Sequence, residues 1–224
     1  MNWNDIWSGK IKLKINDRVF VYGHKNISEL IRVFEGLLDL RVDGQVSIAN
    51  HVGCISKFED DTIYMLEAVW PRFSENLLSK YDDGETEMLI MRDVTINDLQ
   101  CQQVVAYIRR EFKGKLYNVV AIGTQLFDNV VSFIRRKKTI ILSKLNWLKL
   151  PICSRALAIA DSEVLGHNYD VHPAAASPDD MLDYILRKPK KYKIIFATDK
   201  MLKMVWHQVD NKVIKVNGNV KVSI

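Results

Sequence analysis

Apolar and polar residues alternate through residues 10–22, with Ile11, Leu13, Ile15, Val19 and Val21 on one phase. That period of two predicts strands. Asn26-Ile27-Ser28-Glu29 reads as a helix start, with Glu29 three residues after a capping Asn26, and Ile31, Phe34 and Leu38 supply the apolar face. Val46 to Phe58 and Thr62 to Trp70 are rich in Val, Ile and aromatics, and the acidic turn Glu59-Asp60-Asp61 lies between them, so they predict a hairpin. Met88 to Val94 predicts a further strand. The period then lengthens. Cys101, Val104, Val105, Ile108 and Phe112 fall at helical spacing before a stop at Gly114. A second helix is predicted over 119–134, ending in the basic run Arg135-Arg136-Lys137-Lys138, which suits a helix carboxyl end. Cys153 to Leu165 predicts a helix closed by Gly166, and Ser177-Pro178-Asp179-Asp180 a helix start. The last thirty or so residues, with Asn217-Gly218 between Val/Lys-rich runs, predict a β extension over about 192–224. The class is α+β: a hairpin-rich antiparallel sheet with helices grouped in the middle of one domain.

Composition narrows this picture modestly. The chain has 224 residues, of which 48% are hydrophobic, enough for one domain with a real core. A net charge of +5 is too small a bias to point to nucleic acid. Three scattered cysteines suggest no disulfide framework, so a reducing compartment is expected. The first residues lack a basic start followed by an apolar run, and no uncharged apolar stretch approaches ~18 residues. The expected location is cytoplasmic, or in association with a virus particle. The basic runs Arg135–Lys138 and Lys188–Lys193 read first as solvated segments and second as a docking patch for an anionic surface. No zinc spacing, phosphate-binding glycine loop or serine elbow is present, so no metal or cofactor is expected.

Chemistry enters with Cys153. A thiol opening a helix meets backbone N–H groups and the positive end of the helix dipole, and both favour the reactive thiolate. A buried core cysteine is the competing reading. Among the five histidines, His51 lies inside an apolar strand, Asn50-His51-Val52-Gly53, which would hold an imidazole more rigidly than a loop. A structural, hydrogen-bonded histidine is the alternative there. Glu67, flanked by Leu66 and Ala68, is the candidate to orient the ring. Its placement depends on the hairpin. A three-residue loop sets Glu67 diagonal to His51 on one face, and a two-residue loop sends it to the other.

The order of these residues resembles that of the permuted papain-like amidases, which include the YiiX-like and lecithin retinol acyltransferase-like proteins and are related to the NlpC-type cell-wall peptidases. Lys14 to Val21 is similar to the opening segment of that family. Asn50-His51-Val52-Gly53 resembles its Ser-His-Val-Gly strand, and Ile63 to Ala68 the strand bearing the third polar residue. Gly114-Lys115-Leu116-Tyr117-Asn118 resembles its Gly-x-x-Tyr-Asp turn. Ile152 to Leu157 resembles its Cys-Ser-Glu-Leu helix start, with Arg155 in place of the acid, and Ser177 to Leu182 resembles a later helix start. The resemblance spans about residues 10–190. It implies a papain-like sheet packed on the helix bearing the nucleophile Cys153, with His51 as base and Glu67 as third member. It also implies hydrolysis or transfer at an amide or ester carbonyl, with a cell-wall peptide or acyl-amide as substrate. A non-catalytic, partner-binding module on the same fold is the alternative expectation.

Overall fold

The structure is a computed structural model that describes residues 2–23, 48–69, 71–116 and 153–216. It is an α+β protein built on a six-stranded, wholly antiparallel sheet. The strands are β1 (Arg18–Tyr22), β2 (His51–Glu59), β3 (Thr62–Val69), β4 (Arg72–Leu77), β5 (Glu87–Asp93) and β6 (Tyr192–Ala197). They lie in the order β4-β3-β2-β1-β5-β6, so β1 and β2 occupy the centre. A short helix α1 (Trp3–Trp7) precedes the sheet. Helices α2 (Asp98–Phe112), α3 (Cys153–Leu165) and α4 (Pro178–Leu186) lie between β5 and β6 in the chain, and α5 (Asp199–Val216) follows β6.

Alternation along the strands divides the core in two. Phe20, Val52, Cys54, Leu66, Ala68, Leu89 and Met91 pack with apolar residues of α2 to α5. Val19, Val21, Ile55, Met65, Met88 and Ile90 form a second cluster with Ile6, Leu13, Leu78 and Tyr81. A central strand buried on both faces reads as a continuous apolar run, which is what Val19-Phe20-Val21 provides.

Several expectations are met in detail. The helix α3 begins at Cys153 and ends before Gly166, whose φ of 64° is the left-handed cap conformation. Ser177 caps α4 through a reciprocal bond with Asp180. Two expectations are corrected. Within residues 10–22 only Arg18–Tyr22 is strand, because Asn16 turns the chain at a φ of 70°. Of the β extension predicted over about 192–224, the described residues form strand only at β6, and residues 199–216 are helical. Met201 and Val205, four apart and buried against the helical core, set a period that outweighs the β preference of the later valines. The Asn217-Gly218 turn, the helices predicted over 26–38 and 119–134, and the Arg135–Lys138 run lie outside the described residues. The Lys188–Lys193 run is described, and part of it is engaged structurally: Lys188 Nζ donates to the Tyr184 hydroxyl at 2.8 Å, and Lys191 pairs with Asp93 at 3.3 Å. Among the described residues no helix is long and apolar enough to cross a membrane.

Candidate active site

The hairpin β2–β3 places the first two candidate residues. Its turn holds two residues, Asp60 and Asp61, at φ 46° and 60°, with Glu59 paired to Thr62. Both central residues at positive φ is the geometry that matches the twist of a hairpin, and aspartate tolerates it. A two-residue turn by itself would send Glu67 to the face opposite His51. The ladder, however, contains a β-bulge at Ser56: Lys57 pairs with Tyr64, but Ile55 pairs with Met65. One extra residue on β2 shifts the register by one. Beyond the bulge, Cys54 pairs with Leu66, and the same register carried on sets Gly53 opposite Glu67 and His51 opposite Val69. The two candidate residues therefore share a face.

Their contact is direct. His51 Nε2 lies 2.7 Å from Glu67 Oε2, with His51 2% exposed and Glu67 fully buried. Gly53, between them on that face, leaves the space they need. A Cβ there would sit 2.8 Å from the Leu66 carbonyl oxygen and also meet the Met65 side chain. The entry to β2 is pinned from α4, where Asp179 Oδ1 accepts the N–H groups of Ile48 and Ala49 at 3.2 and 3.1 Å.

Glu67 has partners that the sequence reading did not single out. Asn76 Nδ2 donates to Oε1 at 2.8 Å, Lys80 Nζ pairs with the same oxygen, and the Tyr81 hydroxyl donates to Oε2 at 2.5 Å. Asn76 stands on β4 and the other two on a 3₁₀ turn, Leu78–Tyr81. Strand β4 pairs with β3 so that Ser74 faces Glu67 and Asn76 lies one step along the same face. No motif marks these residues. The signal was the alternation Ser74-Glu75-Asn76 ahead of Lys80-Tyr81, legible only once β3 and β4 are known to pair. Burial favours a neutral carboxyl, but His51 and Lys80 outweigh it and hold Glu67 down at about 2.

The helix α3 brings in the third residue. Cys153, 3% exposed, hydrogen-bonds His51, and backbone N–H groups of Val52 and Ser154 face its sulfur. Since Nε2 of the ring is engaged by Glu67, the other nitrogen, Nδ1, is the one left for the thiol. Ser154 secures the first turn of α3 by donating from Oγ to the Ala176 carbonyl at 2.7 Å. Burial opposes charge on both members of this pair. The His51 imidazole is nevertheless raised to about 9, because the Cys153 sulfur and the Glu67 carboxylate favour its charged form. The Cys153 thiol is lowered, against its own burial, by His51 and by the two N–H groups. The other thiols go the opposite way: burial raises Cys54 to about 11 and also raises Cys101. One thiol of three is thus disposed towards thiolate, and it is the one touching a histidine.

No group of three or more His, Cys, Asp or Glu side chains is gathered as a metal would require among the described residues. His51 and Glu67 bond to one another rather than converging on a common point.

No protein-family model and no curated protein sequence matches the chain. A solved structure does. The crystal structure of YiiX from Escherichia coli O157:H7, described as a metalloprotein, superposes with a TM-score of 0.52 at 14% identity, covering 83% of this chain and 97% of that one. The chain is similar to YiiX in fold, a likeness of architecture carried almost entirely without shared residues.

Proposed function

We propose that the protein is a thiol-dependent hydrolase of an amide bond, built as a permuted papain-like domain, with Cys153 as nucleophile, His51 as acid and base, and Glu67 as the group that orients the ring. The observation that carries this reading is the opposite treatment of the three thiols: the one lowered is bonded to an imidazole whose far nitrogen meets a fully buried carboxylate. A nucleophile, a base within hydrogen-bond reach and a third group orienting the base form the arrangement that acyl transfer needs.

In the proposed cycle the Cys153 thiolate attacks the carbonyl carbon, and the C–N bond breaks as His51 gives its proton to the leaving amine. That leaves a thioester on Cys153. Neutral His51 then takes a proton from water as the water attacks the thioester. The carboxylic acid product leaves, and the sulfur and the ring regain their charged pair. The Cys153 N–H, at the start of α3 and free of an intrahelical partner, is the oxyanion donor in this scheme. Cell-wall peptide is the substrate class ranked first, on the family resemblance, with other acyl-amides after it.

Two measurements test the reading. Alkylation of the three cysteines across pH should find Cys153 reacting well below the range of the other two. Digestion of purified peptidoglycan beside a panel of acyl-amides, with Cys153→Ala as control, should release product only with the thiol present. Equal alkylation of all three cysteines, confined to alkaline pH, would overturn it.

A further inference from the structure

The helix that opens with Cys153 carries a second polar cluster near its other end. Asp161 is 2% exposed and takes two bonds, one from Arg18 Nη2 and one from the Tyr169 hydroxyl. Arg18 is itself 4% exposed, reaching the helix from β1. Eight residues of helix separate Asp161 from Cys153, ~12 Å along the axis, so this cluster is distinct from the thiol centre.

Among the described residues four buried side-chain atoms have no hydrogen-bond partner, and three of them line one cavity here: Arg18 Nη1, Asn16 Oδ1 and the Tyr192 hydroxyl. The parent residues are more than nine-tenths buried, at 4%, 7% and 5% exposure. Leaving one such group unpaired costs ~1–3 kcal/mol, so three converging on one space call for an occupant. His167 and Tyr169 complete its aromatic wall.

The chemistry of the occupant follows from what is missing. Arg18 Nη1 offers donors, Asn16 Oδ1 an acceptor, and the Tyr192 hydroxyl either. Fixed charge is already balanced, since Arg18 pairs with Asp161 and Lys191 with Asp93. An ionic ligand would leave a net charge in a buried place. The cavity volume is about 10 Å³, the room of about one water molecule. We propose that this cavity is a binding site for one water molecule, which accepts from Arg18, donates to Asn16 Oδ1 and bonds the Tyr192 hydroxyl. Water is uncharged, both donates and accepts, and has the size of the space.

Nuclear magnetic resonance on the full chain tests this. In buffer alone, cross-relaxation from a long-lived water to the Arg18 guanidinium and Tyr192 ring protons is expected. Titrated acetamide, acetate and methylammonium should leave these resonances unmoved, since the space takes one water, and saturable shifts with any of them overturn the assignment. Tyr192→Phe gives an independent sign. With a water bonded to the hydroxyl, the variant melts a few degrees lower, and alkylation of Cys153 is unchanged. A variant that melts higher, or a wild-type protein with no long-lived water at these protons, overturns the proposal, because the hydroxyl is then partnerless.

Discussion

Cys153 and His51 set each other's charge. Burial opposes ionisation of both, and each is shifted towards its charged form chiefly by the other. Cys153→Ala therefore removes the strongest influence holding the ring near 9, and Glu67 alone is left to oppose burial. The imidazole of that variant, followed by its carbon-bound proton resonances, is expected to titrate well below 9, and titration still near 9 would contradict the pairing. The sign for stability follows. The folded value of His51 lies above its ordinary 6.5, so its contribution is fully present below about pH 6.5 and lost as pH rises through about 9. Glu67 works in the other direction, contributing above about 4.5 and losing its contribution as pH falls towards 2. Glu67→Gln removes the carboxylate that fixes the ring and favours its proton. For an enzyme of the proposed kind, a loss on the order of 10²-fold or more in kcat/KM is expected, with the alkaline limb of the rate profile moved to lower pH. An unchanged limb would mean that Glu67 does not act on His51.

At the scale of elements, the pairing of His51 with Glu67 rests on two local irregularities that cancel. The two-residue turn at Asp60-Asp61 moves Glu67 off the shared face, and the bulge at Ser56 restores it. This explains how much was legible in the sequence. Cys153 at a helix start and the strand character of His51 follow from short-range pattern, and both are found. Glu67 was placed by a loop length that the structure does not have, and it reaches His51 through a bulge for which an isolated Ser gives no local signal. Asn76, Lys80 and Tyr81 were invisible because their relation to Glu67 runs through the pairing of β3 with β4, which is tertiary information. The helix Asp199–Val216 is hard to read because its valine-rich composition favours strand, while the spacing of Met201 and Val205, buried against the helical core, is what decides it. The same logic makes deletion of Ser56 informative. The deletion takes out the extra residue of β2 and leaves Lys57 opposite Tyr64 and Ile55 opposite Met65, so the ladder becomes regular with Glu67 still on the face of His51. Alkylation of Cys153 at low pH and the far-ultraviolet circular dichroism of the sheet are expected to persist. Loss of the low-pH alkylation would mean that the local bend of the bulge, beyond the register, sets His51 against Cys153.

For the whole molecule, α3 is the member that ties the sheet to the candidate chemistry, since it presents Cys153 at one end and Asp161 further along. The Arg18–Asp161 pair crosses from the central strand to this helix with both side chains at 5% exposure or less. A buried pair is weak evidence of net stabilisation, because desolvation offsets much of the attraction, yet breaking it from one side is severe. Asp161→Asn leaves the Arg18 guanidinium charged inside the core and weakens the acceptor of the Tyr169 hydroxyl. A loss of ~3–5 kcal/mol by denaturant unfolding is expected, a large part of the ~5–15 kcal/mol typical of a domain. Replacing both partners, Arg18→Met with Asp161→Leu, should recover most of that loss, since no buried charge then remains. The thiol should be indifferent to either change while the protein stays folded. The groups acting on it are His51 and the N–H groups of Val52 and Ser154, all at the opposite end of the helix. A pH profile of Cys153 alkylation in the double variant that matches the wild type, together with a recovered midpoint, would separate what holds α3 in place from what activates its first residue. A shifted profile would instead mean that the two ends of the helix are coupled, and that the position of Cys153 against His51 depends on the Arg18 anchor.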